Sequence, residues 1–297
     1  MQEKYIQTNG ITLHTIIDGD ENGEPIIFLH GFPEFWYSWR KQIPFFVQKG
    51  YRVIVPDQRG YNLSDKPTDI ADYRISVLAT DIVGLIDALG YDKVHLVGHD
   101  WGGGAAWWVS TMFPNRLKSL TILNVPYPSV MLKHFTSGNI AQIAKSWYMF
   151  FIQIPVLPEA LTSIGNYQGM ANLLKSTSLA GSFSNEDLEQ YREAWSRPNA
   201  MRSMMNWYRA MFQGAVKGGS SRPKGENAAK SKQKLSVPTL LLWGEKDVVL
   251  DKALAEPSIN LCEDGELVFF PKSTHWIQHD EPDDVNRYIY EFVHRHQ

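Results

Sequence analysis

Asp100, Asp247 and His275 are the residues whose types and order in the chain could carry a reaction. Asp100 is the middle residue of Gly98-His-Asp-Trp-Gly102, after the apolar positions Val94, Leu96 and Val97 and before a helical stretch over Ala105 to Phe113. A strand, a sharp turn and a helix put that residue at the tip of a nucleophile elbow. The small residues two before and two after it let the backbone turn without a side-chain clash. The same turn sets the Asp100 carboxylate at a helix N-terminus, where free N–H groups and the dipole favour an anion. An acid and then a histidine should follow such a nucleophile. Asp247 lies just past Leu240-Leu-Leu-Trp-Gly-Glu245, and His275 just past Val268-Phe-Phe-Pro-Lys-Ser-Thr274, each where a strand is expected to end. In that arrangement Asp247 holds one imidazole nitrogen while the other activates water. Taken singly, each has a plain structural alternative: a helix cap for Asp100, a turn residue for Asp247, one histidine among nine for His275. Their joint order at three strand ends is what points to chemistry.

A carboxylate at the elbow narrows that chemistry. Attack on an ester or amide carbonyl would form a mixed anhydride, an intermediate no easier than the start. Attack at a saturated carbon forms an alkyl ester that water can hydrolyse, so an epoxide or a carbon–halogen bond is the expected target. Hydrolysis of the ester puts an oxyanion on the Asp100 carboxyl carbon. The backbone N–H of Trp101 is one donor for it, and the N–H of Phe32, in His30-Gly-Phe-Pro-Glu34, is the expected second. Pro33 restricts that loop.

These residues need a parallel sheet to place them, and the chain is written for one. Tyr5–Thr8 and Ile11–Ile17 read as strands joined by an Asn9-Gly10 hairpin turn. Pro25–Leu29 and Arg52–Pro56 read as buried strands, Trp36–Val47 as helical, and Ile75–Leu89 as an amphipathic helix with apolar residues at three-and-four spacing. Leu117–Leu123 is a further strand. This alternation predicts an α/β fold with a mostly parallel sheet covered on both faces. It stops from about Ser129 to Ser236, which is helical, aromatic and Met-rich, and resumes with strands at Val237–Trp243 and Gly265–Pro271 and a helix at Asp283–His296. The expected organisation is a core over 1–128 and 237–297 with a helical cap over 129–236, a lid above the active edge of the sheet. Gly214 to Lys234, rich in Gly, Ser and Lys, reads as a surface connection.

Composition sets outer bounds. The chain has 297 residues, 43% hydrophobic and 21% charged, with a net charge of −3. That suits one large core with an insertion and argues against nucleic acid or an anionic membrane as partner. The single Cys262 excludes an internal disulfide framework and fits a reducing cytosol. Neither a signal peptide nor a run of about 20 apolar residues is seen, so a cytoplasmic protein without a membrane span is expected. Ten Trp, thirteen Tyr and fourteen Phe suggest an aromatic pocket as well as an aromatic core.

The stretches His30-Gly-Phe-Pro-Glu34, Arg59-Gly-Tyr61, Gly98-His-Asp-Trp-Gly102, Trp243-Gly-Glu-Lys-Asp247 and Ser273-Thr-His-Trp276 resemble those of epoxide hydrolases of the α/β-hydrolase fold. The similarity runs over nearly the whole chain. It implies two lid tyrosines that hydrogen-bond the epoxide oxygen: Tyr148, ahead of Phe151-Ile-Gln-Ile-Pro155, and Tyr208, in Asn206-Trp-Tyr-Arg209. Ring opening leaves an alkoxide, and a phenol can donate to it without carrying charge at neutral pH. Trp36, Met149, Phe150, Phe151 and Trp276 are candidate pocket walls by position. The resemblance implies a small apolar epoxide and water as substrates, with neither metal nor organic cofactor; monomer and homodimer are both compatible with it. His30 and His99 flank the site as structural residues. A haloalkane dehalogenase is the alternative, with the Trp101 indole donating to a halide. Its usual second donor, often Asn, is replaced by Phe32. A fluoroacetate dehalogenase fits less well, since Trp101 stands where such enzymes resemble one another in having Arg. A non-catalytic receptor on this fold would not need the complete Asp100–His275–Asp247 set.

Overall fold

The computed structural model describes residues 1–136, 147–216 and 234–297. Its frame is an eight-stranded sheet in the order β1-β2-β4-β3-β5-β6-β7-β8. The strands are β1 (Gln2–Thr8), β2 (Ile11–Asp18), β3 (Glu24–Leu29), β4 (Tyr51–Pro56), β5 (Val94–His99), β6 (Leu117–Leu123), β7 (Thr239–Gly244) and β8 (Gly265–Phe270). β2 runs antiparallel to β1 and β4, and the pairs from β4 through β8 are parallel. The hairpin turns at Asn9 (φ 43°) and Gly10 (φ 76°), the left-handed geometry an Asn-Gly pair accepts.

Side chains alternate across each strand, and two apolar layers follow. Ile27, Leu29, Ile54 and Leu96 face α2 (Ile75–Ala88) and α3 (Trp101–Met112), where Ile82, Leu85, Ile86, Trp107 and Val109 close the layer. Ile26, Phe28, Val53, Val55 and Val97 face the other way, onto Trp39, Phe46 of α1 (Ile43–Gln48) and Ile289, Phe292 and Val293 of α11 (Pro282–Arg295). The expected sheet with both faces covered is therefore present.

One expected element differs. Trp36–Val47 is a short 3-10 turn at Trp36–Trp39 followed by a separate helix, α1. Pro44 is the reason: without an N–H it cannot sit inside a helix but is tolerated in a first turn, where it is found.

Between β6 and β7 the described residues hold no strand, only the lone Leu235–Cys262 bridge. They form α4 (Pro128–Thr136), α5 (Trp147–Phe151), α6 (Leu157–Thr177), α7 (Asn185–Ser196) and α8 (Ala200–Val216). Most of the expected surface connection, residues 217–233, lies outside the described residues. A third cluster joins this insertion to the sheet's loops: Leu174, Leu188, Tyr191, Trp195, Met204, Met205, Trp207 and Tyr208 pack with Phe35, Tyr61, Tyr73 and Trp276. A short α9 (Ala255–Ile259) and α10 (Ile277–Asp280) complete the fold. Among the described residues no helix is long and apolar enough to cross a membrane.

A buried ion pair ties these parts together. Arg59 donates twice to Asp81 of α2, Nε and the guanidinium Nη2 each at 2.7 Å, and the two side chains are 4% and 2% exposed. Asn9 of the hairpin also donates to Asp81 (2.8 Å), and Trp207 of α8 donates its indole N–H to the Arg59 carbonyl (3.0 Å). Asp81→Ala strands the guanidinium among apolar neighbours. Urea unfolding should register a loss of about 3–5 kcal/mol. A loss below about 1 kcal/mol, the range of exposed pairs, would show that water reaches the pair.

Candidate active site

The elbow forms where β5 ends and α3 begins. Asp100 has φ 48° and ψ −122°, a conformation that a non-glycine residue adopts only under constraint from its surroundings. Its N–H donates to the Leu123 carbonyl (3.2 Å), and its carbonyl accepts from Gly104 N–H (2.8 Å). The turn is tight enough that a Cβ at Gly98 would stand 2.6 Å from the Gly102 carbonyl oxygen. Asp100 occupies the N-cap position, yet its side chain makes no capping bond. Oδ1 instead accepts the Phe32 N–H (2.9 Å), and Oδ2 lies 3.6 Å from His275 Nε2. The opposing loop approaches so closely that a Cβ at Gly31 would fall 2.5 Å from the Asp100 Cβ. The Phe32–Pro33 peptide is cis. Trp101 is the first residue of α3, so its N–H belongs to the turn that has no partner within the helix.

His275 comes from the loop after β8 and Asp247 from the loop after β7. His275 Nδ1 and Asp247 Oδ2 are 2.7 Å apart. Asp247 Oδ1 accepts from the N–H groups of Val249 (2.7 Å) and Leu250 (2.8 Å). Oδ2 also accepts from Asn124 Nδ2 (2.8 Å), whose Oδ1 takes the Gly244 N–H (3.1 Å). Asn124 carries a left-handed φ of 48° at the end of β6. It was not among the expected site residues, although its place at a strand's C-terminal end was the available signal.

A second set of buried polar groups backs His275. His99 Nε2 meets the His275 carbonyl (2.9 Å), and the two rings lie 4.8 Å apart. His99 Nδ1 faces Gln278 Nε2 (3.1 Å) and Glu34 Oε2 (3.3 Å). Glu34 also accepts from Tyr191 (2.7 Å) and pairs with His279 (2.7 Å). Burial alone would raise the Glu34 carboxyl, but His279 and His99 outweigh it and hold it well below the usual range. His279 had no expected role. A glutamate at the end of a loop motif and a histidine in a closing segment carry no spacing that links them.

The electrostatics of the set follow from its two carboxylates. Burial pushes the His275 imidazole down, but Asp247 and Asp100 outweigh burial and push it up to about 10. Burial likewise raises Asp100, and the hydrogen bond and charge of His275, with His99 and the Phe32 N–H, bring it below the usual carboxylate range. The carboxylates thus favour the protonated imidazole, and the imidazole in turn favours an ionised Asp100. Among the described residues, no group of three or more His, Cys, Asp or Glu side chains could hold a metal ion.

Aromatic rings close the site from the insertion. Tyr208 on α8 packs edge-on against Trp101 (4.9 Å between centroids) and Phe32 (5.2 Å), and Tyr148 on α5 meets Tyr208 at 5.9 Å. Burial and then neighbouring charge, Asp100 included, raise both phenols far above their ordinary value. Of the expected walls, Trp36, Met149 and Trp276 lie in this cluster. Trp276 also packs on His275, 5.0 Å between rings. Phe151 is half-buried. Phe150 is a correction: it is 53% exposed and its ring meets Phe212, because one residue's turn of a helix carries it away from the face that holds Met149.

The chain is similar to known proteins over nearly its whole length. The α/β-hydrolase fold family model matches residues 24–282. An α/β-hydrolase superfamily protein of Bacillus subtilis (strain 168), YfhM, is 41% identical over 98% of this chain and 97% of its own length. Epoxide hydrolase 4 of Homo sapiens is 37% identical over 97% of this chain and 77% of its own. The crystal structure of Bacillus megaterium epoxide hydrolase in complex with an inhibitor superposes with a TM-score of 0.86 at 29% identity, covering 98% of this chain and 100% of that one.

The raised His275 has a consequence for stability. Its folded value of about 10 exceeds the unfolded 6.5. Its contribution is therefore complete below about pH 6.5 and is lost as pH rises through about 10. Thermal unfolding followed between pH 6 and 10 should show wild type falling more steeply than His275→Gln. Parallel curves would remove the imidazolium from the resting site.

Proposed function

The chain belongs to the epoxide hydrolases of the α/β-hydrolase fold, and from that premise we propose that it opens a small apolar epoxide to a vicinal diol through an ester on Asp100. The observation that carries this reading is the carboxylate itself. It stands at the elbow free of any capping bond, with the Phe32 N–H on one oxygen and His275 beyond the other. We take the helical insertion, residues 129–236, to be the lid.

In the first step an Asp100 oxygen attacks an epoxide carbon and the carbon–oxygen bond of the ring breaks. Tyr148 and Tyr208 hold the ring oxygen, and one of them gives it a proton as it becomes an alkoxide. Their raised phenols keep them protonated as donors through the working pH range.

The ester is neutral, so alkylation removes one of the two carboxylates that keep the proton on His275. Burial, which opposes the charged form, then pulls the imidazole down. The imidazolium gives up its proton, which restores the tyrosine, and His275 becomes a base only once there is an ester to hydrolyse. Water then loses a proton to His275 and its oxygen adds to the Asp100 carboxyl carbon. The N–H groups of Phe32 and Trp101 receive the oxyanion. The intermediate collapses, the diol leaves with the ester oxygen and a proton, and Asp100 and the imidazolium are regenerated. Asp247 keeps the imidazole oriented throughout.

The proton cycle sets the pH dependence of the two steps. Alkylation should stay flat from about pH 6 to beyond 9, because neither Asp100 nor the tyrosines titrate there, whereas ester hydrolysis should rise with pH as His275 in the ester form loses its proton. Pre-steady-state rates measured separately for the two phases decide this. An alkylation rate that rises with pH in the same way as hydrolysis would reject the switch.

The source of oxygen tests the two-step route directly. With excess enzyme and a single turnover of styrene oxide in heavy-oxygen water, the diol should emerge largely unlabelled and the Asp100 carboxylate labelled. His275→Gln should accumulate an adduct of substrate mass on the peptide that carries Asp100. Heavy diol in that first turnover, with no adduct in the mutant, would defeat the mechanism. Single Tyr148→Phe or Tyr208→Phe should slow alkylation by about 10- to 1000-fold. A bromoalkane run alongside should release no halide at a comparable rate.

A further inference from the structure

We propose that Arg209 is a positioning residue that fixes Tyr148 against Tyr208, and so sets the rate of ring opening without touching the substrate. The proposal rests on the two tyrosines being the donors to the epoxide oxygen. Tyr208 sits on α8, 17 residues long, one residue before Arg209. Tyr148 sits on α5, whose described residues are Trp147–Phe151. Its C-terminal end is oriented by contacts from outside that helix.

Arg209 supplies them. It is 7% exposed, and its guanidinium reaches four acceptors. Nε donates to the Ile152 carbonyl (3.0 Å) and Nη2 to the Ile154 carbonyl (3.2 Å). Nη1 donates to Glu159 Oε1 (2.7 Å) and to Asn206 Oδ1 (3.3 Å). Ile152 is the residue whose N–H closes on the Tyr148 carbonyl (2.9 Å), so the guanidinium grips the end of the turn that bears Tyr148. Carbonyls at a helix C-terminus lack intrahelical donors and carry the negative end of the dipole, which a cation satisfies.

The segment beyond shows why a grip is needed. Val156 has φ 67°, a left-handed conformation that a β-branched residue resists. Arg209 holds the chain on both sides of it, at Ile154 and at Glu159. The charges cancel locally, since Glu159, 19% exposed, is in salt-bridge contact with the guanidinium. A planar fork with donors in fixed directions can span these acceptors; a lysine ammonium on a flexible stem cannot.

The test is a coupling experiment. Alkylation is followed as adduct growth by mass in the His275→Gln background, where the ester persists, and hydrolysis by burst kinetics with His275 present. Arg209→Gln should slow alkylation by about 10- to 100-fold, the size of effect expected of a donor misplaced by an ångström. Hydrolysis of the ester should change by less than about twofold, since Phe32, Trp101, Asp247 and His275 lie on other elements. Arg209→Lys should recover part of the loss. In a Tyr148→Phe background Arg209→Gln should slow alkylation no further, because the group it positions is gone.

Equal slowing of alkylation in both backgrounds, equal slowing of both steps, or no slowing at all overturns the proposal. If Arg209→Gln does not fold, Glu159→Gln removes one anchor and leaves the carbonyl contacts. It should slow alkylation alone by about two- to fivefold, and a loss shared by both steps overturns the proposal there too. A Tyr148→Phe enzyme that alkylates at the wild-type rate sinks the donor reading and this proposal with it. A slow Tyr148→Phe that shows no coupling to Arg209 sinks the proposal alone.

Discussion

A buried histidine held between two carboxyl groups is the constraint around which the molecule is arranged. His275 is 2% exposed, with Asp247 on one ring nitrogen at 2.7 Å and Asp100 facing the other at 3.6 Å. Ionisable groups drawn this far from water carry a desolvation cost that mutual attraction and further hydrogen bonds offset. The structure supplies those bonds from several strand ends: Phe32 after β3, Asn124 after β6, and the Val249 and Leu250 amides after β7. A parallel sheet delivers all these termini to one edge, which an antiparallel meander would not. The fold's function as a frame follows from this geometry more than from any single residue.

The same logic explains the buried acid one layer further out. Glu34 is fully enclosed, yet it stays ionised because His279, His99, Tyr191 and Gln278 surround it with donors. It joins the loop after β3 to the end of β5, to α10 and to α7 of the insertion. Packing across the third apolar cluster adds the non-directional part of that attachment. The directional part is polar: Trp195 donates to the Pro33 carbonyl, Trp207 to the Arg59 carbonyl and Trp276 to Thr177.

How far the sequence could be read depended on how local each signal was. The strands at Pro25–Leu29, Arg52–Pro56 and Leu117–Leu123 were legible because a buried parallel strand is a short apolar run, and they appear as β3, β4 and β6. Asp100, His275 and Asp247 were legible because a turn motif and chain order mark them, and the structure brings the three together. Tyr148 and Tyr208 came from resemblance, since a tyrosine in an amphipathic helix looks like packing. Glu34 and His279 were not legible, because their meaning lies in contacts with residues more than a hundred positions away; Asn124 carried only its place at a strand end as a signal. Phe150 was assigned to a wall from its neighbours in sequence, but a helix turns by about 100° per residue and separates neighbours onto different faces. The break at Pro44 could have been read from the missing N–H alone.

The polar attachments of the insertion also limit what can be exchanged on this frame. An apolar interface tolerates substitution if volume is conserved. A tryptophan N–H aimed at one carbonyl, or a phenol aimed at a buried carboxylate, does not. An insertion transplanted from a relative would have to bring a hydroxyl to Glu34 where Tyr191 stands and an indole N–H to Arg59 where Trp207 stands. Without the first, a buried charge loses a donor; without the second, a buried carbonyl does. The helical insertion is therefore not a separable module. The frame and the insertion are matched at a few points, and diversification of one is bounded by the other.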